Sequence, residues 1–134
     1  MDKQALRERV WDDLEESGVA RFTFPPHGRI PDFAGADEAA DRLRTLETWR
    51  DAETLKANPD ETTTAVTTVH ERQVVDERVT VDDHDVPLDF VVTPERVVET
   101  GTPYDRPTGV DWGALPAERI AAIPVLDDRA PADR

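Results

Sequence analysis

His84-Asp85-Val86-Pro87-Leu88-Asp89-Phe90-Val91-Val92-Thr93-Pro94 is the stretch whose reading decides the fold. Leu88, Phe90, Val91 and Val92 form a short, nearly continuous apolar run closed by a proline, the pattern of a strand buried on both faces. Asp82, Asp83 and Asp85 cluster just upstream. A carboxylate at the point where a loop enters a buried strand is aimed by that strand, so this is where a site is sought first.

Upstream, Thr62 to Val69 is rich in β-branched residues and predicts a strand. Gln73 to Val81 predicts another, with Val79 and Val81 on one face. Downstream, Gly101 to Gly113 predicts a loop, and Pro116 opens a short helix through Ala122 that Pro124 cuts off. The residues from Asp127, 127–134, predict a disordered tail.

The front half is helical. Asp2 is placed to cap a helix carrying Leu6, Val10, Leu14 and Trp11, and Gly18 is placed to end it. Lys3 and Arg7 share one face near its start, where pairing with Glu8 or other nearby acids is the simplest expectation. FTFPPHGRIPDF, Phe22 to Phe33, is a loop whose prolines and aromatics predict packing. A second helix follows from about Asp37, with Ala36, Ala39, Ala40, Leu43 and Leu46 as its apolar face. Trp49 to Leu55 continues it or turns into a strand, and Lys56 to Asp60 makes a turn. Helices first, strands together, then a short helix imply a small α/β or α+β domain.

At 134 residues the length allows one domain with a modest core. No apolar run reaches membrane-spanning length and no signal-peptide pattern appears, so the expected address is the cytoplasm. The absence of cysteine excludes disulfides and thiolate metal sites. A net charge of -14 argues against nucleic acid, whose phosphates demand a basic footprint. Lys3 and Lys56 are the only lysines, and the acids run from end to end. That balance resembles proteins of salt-loving organisms, in which hydrated carboxylates keep the surface soluble and cations screen self-repulsion.

Few constellations carry chemistry. His27, His70 and His84 are far apart in sequence and show no paired-ligand spacing. Asp82, Asp83, Asp85 and Asp89 lack the alternation and the glycine of a calcium loop. Ser17, the only serine, sits at a helix end rather than on a nucleophile elbow.

Longer motifs supply more. KQALRERVW, then GRIPDFAGADEAADRL, then LKANPD resembles the opening block of the 5-formyltetrahydrofolate cyclo-ligase (methenyltetrahydrofolate synthetase) family, in particular its prokaryotic branch. TTVHERQVVDERVTVDDHDVPLDFVVTPERV with GVDWGALPAERIAAIPVL resembles the closing block. Asp32 stands where asparagine is expected, and Glu71-Arg72 where Asp-Leu is expected. The resemblance implies one cyclo-ligase-like domain over 1–126, an N-terminal block 1–60 joined to a C-terminal block 64–126. It implies a mixed sheet with helices, in two or three layers, lacking its central strands. The family's reaction converts 5-formyltetrahydrofolate, a reduced folate, to 5,10-methenyltetrahydrofolate at the expense of ATP. The resemblance places Lys3 and Arg7 at the nucleotide phosphates and makes Asp85 a Mg2+ ligand. Arg29, Lys56, His84 and Asp89 lie in matching motifs without an assigned role.

The family's central region, with its glycine-rich phosphate loop, has no counterpart here. There is no glycine between Ala36 and Thr100, and a loop that wraps phosphate with backbone amides needs glycine for positive φ and close approach. Two readings follow: a cyclo-ligase-like enzyme, or an internally deleted copy with impaired or no activity. A third is a non-catalytic interaction protein docking through a sheet edge left open by the missing strands.

Overall fold

The computed structural model describes residues 2–54, 64–106 and 110–132. Helix α1, Lys3–Glu16, begins where Asp2 accepts hydrogen bonds from the Gln4 and Ala5 amides. It stops two residues before Gly18, whose φ of 75° gives the left-handed exit expected of a helix end. Leu14 is its buried residue. Helix α2, Ala36–Arg44, starts at Gly35 and buries Ala39. Helix α3, Glu47–Asp51, is a separate single turn, so the stretch from Trp49 neither prolongs α2 nor becomes a strand. The turn expected over 56–60 lies outside the described residues.

Among the described residues the sheet has three strands, β1 Val66–Thr68, β2 Phe90–Val92 and β3 Val97–Glu99, in the order β1-β2-β3. β1 runs parallel to β2, Thr67 opposite Val91, and β2 antiparallel to β3, Val91 opposite Val98. The decisive stretch is therefore the central strand, as its apolar run requires, although only Val92 in it is fully buried and Phe90 and Val91 are half-buried. With helices α1 and α2 the architecture is a small mixed α/β fold, the expected class. α2 lies against β1 and β2.

One expected strand does not form, and one strand was not expected. Gln73 to Val81 joins no ladder; Val81 is exposed and Val79 half-buried. β3 was hidden because Val97-Val98-Glu99 is short and follows the turn Thr93-Pro94-Glu95-Arg96, which builds the hairpin. Thr93, fully buried, accepts through Oγ1 from the Glu95 and Arg96 amides and donates to Glu71 at 2.7 Å. Those bonds satisfy a hydroxyl that would otherwise be costly to bury. The same Glu71 binds Arg96 at 2.5 Å, so its carboxyl is held below the usual range by the Arg96 guanidinium and the Thr93 hydroxyl.

Parallel pairing obliges the chain to cross over between β1 and β2. Here the crossover is a 3-10 turn, Glu71–Gln73, capped by His70, followed by an irregular strap to Asp89. At the other end, α4, Ala117–Ala121, follows Pro116 and buries Ile120. Pro124 does more than stop it: the proline opens a further turn, α5, Pro124–Asp127. The expected tail overlaps that turn at Asp127.

The two sequence blocks meet at Gly35. A Cβ there would sit 2.6 Å from Pro94 Cγ, so the helix start and the hairpin turn approach more closely than any side chain allows. Arg42 of α2 reinforces the joint by donating to the Pro94 carbonyl at 3.0 Å.

Candidate functional site

The strap is laid antiparallel along α1 by ion pairs. Arg72 meets Asp13 at 2.9 Å, Arg9 meets Glu77 at 2.5 Å, and Lys3 meets Asp82 at 2.9 Å and Asp85 at 2.6 Å. Helical spacing explains the order: as the strap advances from 72 to 85, its partners step back along the helix from 13 to 9 to 3. No strand ladder is needed, which is why extended, β-branched sequence over 73–81 forms no strand.

Asp82 and Asp85 face Lys3 because the segment between them turns back on itself. The Asp85 amide donates to the Asp82 carbonyl at 2.9 Å, and the Asp82 amide donates to the Asp85 carboxylate at 2.8 Å. That amide, then the Lys3 ammonium, holds the Asp85 carboxyl below its usual range. Reciprocally, Asp85 and then Asp82 hold the Lys3 ammonium above its usual range.

His84 joins this turn. Asp82, His84 and Asp85 offer one ligand atom each, all within 4.8 Å of one another. The two carboxylates are hard oxygen donors of the kind magnesium accepts, and the imidazole suits it less well. Sequence reasoning named the Asp82, Asp83 and Asp85 cluster and left His84 without a role, and it gave a metal-binding role to Asp85 alone. The spacing Asp-x-His-Asp carried the signal, and only the backbone reversal makes it visible.

The remaining candidates separate. Lys3 pairs with Asp82 and Asp85 rather than with Glu8, which instead accepts from Gln4 at 3.0 Å. Arg7 is exposed and makes no ion pair among the described residues. Asp89 serves the sheet: it accepts from the Ala65 amide at 2.7 Å and from Arg106, fixing the entry to β1 beside β2. Arg29 lies on the exposed loop, and Lys56 falls outside the described residues. His70 accepts from the Arg72 amide and meets Phe33 edge-on at 6.0 Å.

A phosphate cradle is a different matter. Among the described residues every positive φ belongs to a glycine, and no glycine stands between Gly35 and Gly101. The nests in which backbone amides converge on an anion alternate right- and left-handed residues, and the described part of that stretch contains none.

The chain is similar to proteins named methenyltetrahydrofolate synthase domain-containing protein. The mouse protein is 25% identical over 232 residues, covering 94% of this chain and 62% of the relative. The zebrafish protein is 36% identical over 230 residues, covering 92% of this chain and 60% of the relative. The human protein is 40% identical over 65 residues, 48% of this chain and 17% of the relative. The chain thus spans about three fifths of the length of the mouse and zebrafish relatives. No family model matches it, and no solved structure matches it.

Proposed function

We propose that this chain is an internally shortened member of the 5-formyltetrahydrofolate cyclo-ligase family, related to its prokaryotic branch, with impaired or no turnover. The observation that carries the reading is a mismatch of lengths. The alignment to the mouse protein runs over 232 positions, yet 94% of 134 residues is about 126, so about 106 positions have no counterpart in this chain. The matched residues span nearly the whole chain, so the unmatched positions fall within the aligned span, which supports an internal shortening.

The residues that remain fit magnesium and do not fit a triphosphate. Asp85 and Asp82 would hold the ion, which when bound neutralises phosphate charge. Lys3 and Arg7 would meet the nucleotide, but the Lys3 ammonium already lies against two carboxylates, so its charge is balanced within the chain. With no backbone cradle, positioning and charge neutralisation, the main sources of rate in phosphoryl transfer, both fall short.

The test combines the chain with ATP, magnesium and 5-formyltetrahydrofolate and follows methenyl absorbance, with a calorimetric titration of ATP in parallel. The expected outcome is no turnover and weak nucleotide affinity. Turnover that Lys3→Ala or Asp85→Ala abolishes, or tight magnesium-dependent ATP binding, refutes the reading. The second reading, a non-catalytic interaction protein, draws on the large apolar side chains left exposed, Phe22 and Ile30 above all.

A further inference from the structure

We propose that the loop between Arg21 and Asp32 is the surface through which two copies of this chain associate. The loop is built, not slack. Its neck is closed by the Arg21 amide on the Asp32 carbonyl at 2.9 Å, the Ala34 amide on Val19 at 2.7 Å and the bridge between Ala20 and Phe33. Its far side is tied to α1, where His27 reaches Asp12 at 2.8 Å and lies against Trp11 with ring centres 5.8 Å apart. Pro26 is fully buried beneath it.

A loop so anchored would be expected to fold its large apolar groups inward. Phe33 and Pro26 obey; the others do not. Ile30 is 98% exposed, Phe22 80% and Phe24 56%. The loop is packed at Pro26 and Phe33, as its prolines and aromatics predict, but these three residues are not, and solvent gains nothing from holding them out. Large apolar groups held outward on one anchored loop mark an interaction site.

Charge selects the occupant. From Ser17 to Pro31 the sequence contains no aspartate or glutamate, the longest such run in a chain with 30 acids. Two molecules of net charge -14 repel wherever carboxylate meets carboxylate, and this loop is where they can approach without it. Arg29 makes no ion pair among the described residues. In a two-fold arrangement, the commonest for like chains, it offers the acidic surface of the second copy an uncommitted cation. Burial of about 150–250 Å2 per aromatic makes this a small interface, so the dimer is weak and concentration-dependent.

Sedimentation velocity over a concentration series, in dilute buffer and in molar potassium chloride, reads the association directly. We expect dimers that strengthen with salt, because salt screens the residual repulsion and favours apolar contact. Phe22→Ser with Ile30→Ser weakens association about tenfold or more and leaves the thermal midpoint unchanged. Val125→Ser, at a residue 56% exposed elsewhere on the surface, leaves association unchanged. The chain has no cysteine, so Ile30→Cys gives a clean oxidative cross-link that Val125→Cys does not. A monomer at every concentration, association indifferent to the loop substitutions, equal cross-linking at both positions, or association that weakens with salt each overturns the proposal. Retention on anionic phospholipid vesicles without self-association assigns the loop to a membrane and overturns it too.

Discussion

Replacing Gly35 with alanine tests the joint between the two halves of the chain. The backbone there has φ of 86°, and the new Cβ would lie 2.6 Å from Pro94 Cγ and 2.9 Å from Pro94 Cβ. Holding alanine in the left-handed region costs about 1–2 kcal/mol. Overlap with a proline ring that cannot rotate away adds about 1–3 kcal/mol, the usual range for overpacking. Together Gly35→Ala should lose about 2–5 kcal/mol. Gly18→Ala separates the two contributions, because at its φ of 75° nothing lies within 4 Å of the added atom, so only the first applies. Urea unfolding at fixed salt, followed by tryptophan fluorescence and far-ultraviolet circular dichroism, measures both. Pro94→Ala removes the nearer of the two clashing carbons and should recover part of the loss in the Gly35→Ala background, a coupling that a double-mutant cycle reads. Equal costs at Gly35 and Gly18 would mean that the start of α2 does not rest on the 93–96 turn, and the placement of one block on the other would fall with it.

The Lys3–Asp85 pair sets a pH window for the strap. Asp85 is lowered in the fold, so its contribution is present above the unfolded value of about 3.9 and is lost as pH falls through the lower folded value. Lys3 is raised, so its contribution is full below about 10.4 and is lost as pH rises through the folded value. The strap therefore stays fastened at neutral pH. The difference in melting midpoint between the wild type and Asp85→Asn should shrink as pH is lowered from 6 towards 3; a difference that widens would contradict the pairing. Separately, the net charge of -14 leads to a midpoint that falls as potassium chloride is withdrawn. Equal midpoints in dilute and molar salt would remove the basis for a salt-adapted surface.

Local rules made α1 legible, because a cap, an apolar stripe and a terminal glycine all lie within one element and need no partner. The central strand was legible for a related reason: an apolar run closed by proline has few other uses. The sequence by itself also settled the absence of cysteine and of mid-chain glycine, which are facts of composition. Tertiary structure decided the rest. Residues 73–81 have strand composition, yet the charges of α1 capture the strap before any ladder can, and β3 exists because Thr93 and Glu71 build the turn that returns it. Lys3 stands 79 and 82 positions from Asp82 and Asp85, and no periodicity couples residues so far apart; only the crossover between parallel strands brings them to hydrogen-bonding distance.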